Sequence, residues 1–307
     1  MQRAITSAFT LCLLLAASTV LAAERPQPAS GSSPAKRILV TVKPLHSIVS
    51  ALLDGITTPD LLLDGINSPH SYNLKPGDAQ ALHLADVIIW AGPALETYLA
   101  KPIALQQDRA AIIGLIDMAA SLADSPDAST RKRLAHEQDG HFWLNPRRVL
   151  KLITPLAALL ATQLPDDAGK IRQNAADLIQ TLSRLDQSIA QRFKQRRNIS
   201  ALVYHDAWQH FLNRYQLGIQ GVISTQELRQ PGPAHLYRLQ QTIKNKKTAC
   251  LLIEPQYKPR YLKSLTAGSG IRVVEADPLG VAQPPGSATY LNIMKQIAAA
   301  FEQCLEK

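Results

Sequence analysis

The chain is short of cysteine, of clustered charge and of long apolar runs, and each shortage narrows what it can be. Three cysteines stand among 307 residues, at positions 12, 250 and 304. None has the Cys-x-x-Cys spacing of a thiolate zinc site. The formal charge of +9 is spread thinly, and its densest stretch is Arg192, Lys194, Arg196 and Arg197. That stretch closes an expected helix, where cations suit the macrodipole. Without an aromatic-interleaved basic stripe, the charge does not support nucleic-acid binding. Beyond the N-terminus no apolar run reaches the roughly 20 residues that a membrane span requires. Hydrophobic residues still make up 46% of the chain, so at this length two ordinary domains, each with its own core, are expected.

The first residues have the pattern of an export signal. Arg3 supplies the charged region, Phe9 to Ala17 the apolar core, and Val20-Leu21-Ala22 the small residues before cleavage. Residues 1–23 are therefore expected to leave as a signal peptide. Residues 24–36, rich in Pro, Ser and Ala, read as a disordered leader. Cys12 departs with the signal and lies too early to be a lipoprotein acceptor. In an oxidising compartment the remaining pair, Cys250 and Cys304, is expected to form a disulfide tying a strand to the last helix.

Past the leader, strands and helices alternate. Arg37–Val42, Leu61–Asp64 and Asp86–Ala91 read as strands, and Pro44–Leu53 and Pro76–Ala85 as helices. Asp117–Gly140 is polar and reads as a long loop. Asn145-Pro146 opens a helix, with Asn capping free amides and Pro suited to the first turn. From Asp166 to Gln195, apolar residues recur at steps of four and three (Ile171, Ala175, Leu178, Leu182, Leu185, Ile189, Phe193), which is one face of an uninterrupted helix. The alternation then resumes. Strands are expected at Ala201–Tyr204, Thr248–Ile253, Ile271–Glu275 and around Gly218–Ile223, with a closing helix over Thr289–Cys304. No internal repeat is visible in the sequence. The fold class is α/β: an N-terminal parallel-sheet lobe over 37–165, one long rigid helix over 166–197 and a C-terminal lobe over 198–307.

Ligands in open α/β sheets collect at the carboxyl ends of strands. His205, Glu254 and Asp277 each follow an expected strand, His70 lies in a loop after one, and His141 precedes a helix start. Three imidazoles with a carboxylate or water form the tetrahedral set that suits zinc, and the mixture excludes the all-oxygen sites of calcium and magnesium. The same set with an open position would also suit a zinc hydrolase using Glu254 as general base, although no nucleophile constellation accompanies it. Of the other histidines, His46 could reach the same edge. His83 reads as solvated, His210 as packing, and His235 and His136 as loop residues.

In order along the chain stand Lys43-Pro44-Leu45-His46, Pro69-His70-Ser71-Tyr72-Asn73-Leu74-Lys75-Pro76, Asp86 to Gly92, His141-Phe142-Trp143-Leu144-Asn145-Pro146, His205-Asp206-Ala207, Pro231-Gly232, Glu254-Pro255-Gln256 and Asp277-Pro278-Leu279-Gly280. With these, essentially all of the chain past its leader resembles the ZnuA-type periplasmic zinc-binding receptors, the metal-binding cluster A-I of ABC-transporter solute receptors. The resemblance implies that His70, His141 and His205 are metal ligands and that Asp277 or water is the fourth. It implies Zn²⁺ as cargo rather than manganese, whose receptors tend to carry Glu at the third position. It also implies the Cys250–Cys304 disulfide, location in the periplasm and no enzymatic role. The implied partner is a membrane permease, the protein acting as a monomer, and loading by a metallochaperone is left open. Many zinc members carry a long His- and acid-rich loop before the second ligand; here the 117–140 stretch is short, with His136 alone.

Overall fold

The computed structural model describes residues 36–122, 139–195, 199–224, 232–245, 248, 250–257 and 261–305. The signal peptide, the leader up to residue 35 and His136 lie outside them.

In the first half the chain forms β1 (Ile38–Val42), α1 (Lys43–Leu52), β2 (Asp60–Leu63), α2 (Pro76–Leu84), β3 (Val87–Trp90), α3 (Ala100–Ala104), β4 (Ala111–Gly114), α4 (Leu115–Ser121) and α5 (Pro146–Gln163). The long helix α6 covers Ala168–Phe193. After it come β5 (Ala201–His205), α7 (Gln209–Tyr215), β6 (Gly221–Ser224), α8 (Pro233–Asn245), β7 (Cys250–Ile253), α9 (Leu262–Thr266), β8 (Arg272–Glu275) and α10 (Thr289–Gln303). The strands form two four-stranded sheets of orders β2-β1-β3-β4 and β6-β5-β7-β8, with every pairing parallel. Counting strands from the start of each half, the two orders are identical. The halves thus share a topology that no sequence repeat betrays.

β1 (ILVTV) and β3 (VIIW) are buried along their whole length, as a parallel strand covered on both faces must be. α5 starts where expected, with the Asn145 side chain accepting from Arg147 N at 3.0 Å and Pro146 in the first turn. The 26 residues of α6 make a rod of about 39 Å. Ile171, Ala175, Leu178, Leu182, Ile189 and Phe193 of its expected apolar face are buried, and Leu185 is partly so.

Four expectations change. Three elements of the first half, α3, β4 and α4, are not among those expected, and α4 takes up the start of the expected 117–140 loop. The segment around His235 is the helix α8, begun by Pro233, not a surface loop. β5 runs through His205, which pairs in register with Ser224. Finally, the two halves do not keep separate cores. One apolar cluster runs from Ile38 to Cys304 through both sheets, and smaller clusters cover the outer face of each. The physical reason is that α6 and α10 pack against both halves. α10 lies on α1 as well as on its own lobe: Tyr290 N donates to Ser47 Oγ at 2.8 Å and Tyr290 Oη to the Trp143 carbonyl at 2.6 Å. The expected bridge between Cys250 and Cys304 is formed and joins β7 to the end of α10. No helix among the described residues is long and apolar enough to cross a membrane.

Candidate metal centre

Both sheets change strand direction of growth beside their first strand, β1 and β5, and such a switch opens a crevice at the carboxyl edge. His205 is the last residue of β5 and is therefore delivered to that edge by a buried strand. His141 stands at the start of a 3₁₀ turn, Phe142–Leu144, whose three side chains are buried. Gly140 lets it approach, since a Cβ there would lie 2.6 Å from Leu95 Cβ. His70 rides on the loop after β2. Gly65 begins that loop with φ of +93° and passes close to the Leu279 carbonyl, a conformation that favours glycine.

These three segments meet. His70, His141 and His205 offer ligand atoms that all lie within 4.8 Å of one another. The ring centroids are 5.1, 5.6 and 5.3 Å apart, and His70 Nε2 is 3.2 Å from His141 Nε2. Zinc bonded tetrahedrally at 2.0–2.1 Å separates ligand nitrogens by about 3.3 Å, so the spacing fits that ion. His141 and His205 are buried, at 4% and 8% exposure, whereas His70 is half-buried.

Carboxylates stand behind two of the rings. Asp139 Oδ1 lies 2.6 Å from His141 Nδ1, and Glu254 Oε2 lies 3.4 Å from His205 Nδ1. Burial pushes the Asp139 carboxyl up, but the charge and hydrogen bonds of His141, with help from His210, outweigh it and hold the carboxyl below its ordinary value. Trp208 Nε1 donates to Glu254 Oε1 at 3.1 Å.

Asp277, the fourth expected ligand, is not gathered with the three histidines. Its Oδ1 accepts from the amides of Leu279 and Gly280 at 3.0 and 2.9 Å, and its Oδ2 accepts from Val281 N. The carboxylate closes its own turn. His46 is also elsewhere: its Nε2 donates to the Pro59 carbonyl at 2.9 Å, and burial lowers its pKa. His83 is exposed on α2 beside Arg109. His235 donates to the Ile223 carbonyl. His210 is buried as expected and donates from Nε2 to the Asp139 carbonyl at 2.8 Å; burial lowers its pKa.

Three supporting residues escaped sequence reading. Lys43 is 3% exposed and donates to the carbonyls of Gly280 (2.8 Å), Gln283 (3.0 Å) and Val281 (3.4 Å), joining the halves. Gln256 Nε2 donates to the Gly65 carbonyl at 2.7 Å, which pins the His70 loop to the second half. Asp139 was legible only as the acidic residue two places before His141. The contacts of Lys43 and Gln256 span about 190 to 240 positions and left no local signal.

Two parallel-sheet lobes joined by a long helix, with three imidazoles converging between them, define a two-lobed metal-receptor class. The chain belongs to the ZnuA family, whose model, described as zinc-uptake complex component A periplasmic, matches residues 38–304. It is similar to the high-affinity zinc uptake system protein ZnuA of Brucella abortus strain 2308, with 31% identity covering 88% of this chain and 92% of that protein. The protein of the same name from Haemophilus influenzae is 27% identical, covering 88% and 93%. Among solved structures, a crystal structure of ZnuA superposes with a TM-score of 0.73 at 23% identity, covering 89% of this chain and 100% of that one. The periplasmic zinc-binding protein TroA of Treponema pallidum gives 0.75 at 18%, with the same coverage. At these identities the two structures establish the fold.

Proposed function

We propose that this chain is a periplasmic zinc receptor that takes Zn²⁺ between its lobes on His70, His141 and His205 and hands it to an ABC-type membrane permease. The observation that carries the reading is the gathering of three imidazoles, from segments 71 and 64 residues apart, within bonding reach of one ion. An all-nitrogen set favours a borderline-soft cation over manganese. Membership of the ZnuA family and the names of the relatives support zinc uptake and the periplasm. Water completes the tetrahedron in this reading, Asp277 lying outside the three-histidine group with its oxygens accepting from the amides of its own turn. The ion is cargo and leaves unchanged, so the protein is not an enzyme. Residues 1–23 direct export and are then cleaved, and the mature chain works as a monomer.

The test is the metal content of the protein purified from the periplasm, set beside competitive titration with Zn²⁺ and Mn²⁺. One zinc per chain and its loss in His141→Ala are expected. A preference for Mn²⁺ over Zn²⁺ would overturn the assignment.

A further inference from the structure

We propose that Asp139 and Glu254 are the positioning residues of this site: each holds a proton on Nδ1 of one ligand imidazole, so that the Nε2 lone pairs of His141 and His205 face the ion. The proposal rests on the three-histidine reading above and deepens it.

A neutral imidazole has one N–H donor and one lone-pair nitrogen, and only the latter can bind a metal. A carboxylate accepts and does not donate. The nitrogen facing it must therefore carry the proton, which leaves the other nitrogen as the ligand. Asp139 Oδ1 meets His141 Nδ1 at 2.6 Å and also takes the His141 backbone N–H at 3.0 Å. The second contact fixes the carboxylate relative to the ring it orients. His210 holds it from behind through the Asp139 carbonyl at 2.8 Å.

On the other half, Glu254 Oε2 is 3.4 Å from His205 Nδ1. That is electrostatic reach, and a shift of a few tenths of an ångström would complete the hydrogen bond. Trp208 fixes the second oxygen of Glu254 at 3.1 Å. Each lobe thus contributes one ligand histidine with one carboxylate behind it.

Charge points the same way. Glu254 is 1% exposed, and among the described residues Asp139 Oδ2 and Glu254 Oε2 are buried without a hydrogen-bond donor. Buried carboxylates with unsatisfied oxygens are costly unless a cation lies near. A divalent ion on the far side of the two rings supplies that charge, while the carboxylates make the imidazoles stronger donors. The arrangement also explains how a zinc site can do without an acidic ligand of its own, Asp277 being engaged in its turn.

Nitrogen-edited NMR of the full-length, zinc-stripped protein reads the tautomers directly. His141 and His205 are expected to carry the proton on Nδ1, and an Nε2–H tautomer at either would overturn that half of the proposal. In Asp139→Asn and Glu254→Gln, a side-chain amide can donate to Nδ1 and reverse the tautomer. Zinc affinity, measured by competition with a chromophoric chelator, is expected to fall about 10- to 100-fold in each. The visible spectrum of the cobalt-loaded variants should stay four-coordinate. Unchanged zinc affinity in either variant would remove that carboxylate from the proposal. Should the buried Glu254→Gln chain fail to fold, Asp139→Asn and the wild-type tautomers still decide. If instead His141→Ala and His205→Ala retained zinc, the three-histidine reading itself would fall.

Discussion

Whether a histidine becomes a ligand in this protein depends on where its backbone is delivered. His205 is carried to the sheet edge by a buried strand, whereas His210, five residues on, is turned away by α7 to hold the Asp139 carbonyl. His46 satisfies its ring locally on Pro59. Replacing His70, His141 or His205 with Ala should each cost more zinc affinity than the 10- to 100-fold typical of an outer-shell loss, whereas His83→Ala should bind normally. Chelator competition on all four variants checks this, and equal loss from all four would indicate unfolding. A second residue-scale effect concerns stability. Glu96 is wholly buried, and burial pushes its carboxyl up to about 7 despite hydrogen bonds from Thr41, Ala91 and Gly92. Its folded value lies above its unfolded one, so the native state holds the proton more tightly. Glu96 therefore costs nothing below the unfolded value near 4.5, and its cost grows as pH rises towards 7. Urea unfolding of Glu96→Gln should show a flatter dependence between those pH values than wild type, and a higher stability above pH 7.

At the scale of elements, the apolar rhythm of α6 was plain because seven residues repeat on one face over many turns. Short elements were not. β4 is four residues, AIIG, too brief for periodicity to separate strand from helix. Pro231-Gly232-Pro233 read as loop punctuation, yet a proline is also a favoured first residue of a helix, and α8 begins there. Two elements depend on single links. The Cys250–Cys304 bridge closes 54 residues, and the chain-entropy model assigns it about 4 kcal/mol. Reduction, or Cys304→Ser, should lower the urea midpoint correspondingly, with most loss of protection from hydrogen exchange in β7 and α10. Lys43, at the start of α1, satisfies three carbonyls of the 280–283 loop. Burial lowers its pKa, against the pull of Asp64 and Asp277. Lys43→Met should cost on the order of 2–3 kcal/mol by orphaning those acceptors, measured by thermal unfolding.

Across the whole molecule, a continuous core and a rod packed against both lobes argue against wide hinge closure. α6 touches α1, α5, α7 and α10, and any large rotation would have to break those packed surfaces at once. Small lobe shifts and movement of the His70 loop are the expected response to zinc. Small-angle scattering should give closely similar radii of gyration with and without the metal; profiles that require a large domain rotation would contradict this.

What the residue order determined by itself is local. Apolar runs made strands, the repeat of fours and threes made a long helix, Asn145-Pro146 started α5, and histidines at strand ends marked candidate ligands. Those features depend on neighbours within a few turns of chain, where period and capping chemistry act directly. Only the tertiary structure decided that the two sheets share one topology and one core, that α10 crosses back to α1, and that Asp277 closes its own turn while Asp139 and Glu254 stand behind the rings. Each of these depends on contacts between residues far apart in the chain. No local pattern encodes such contacts, because they form only when packing and burial bring the distant segments together.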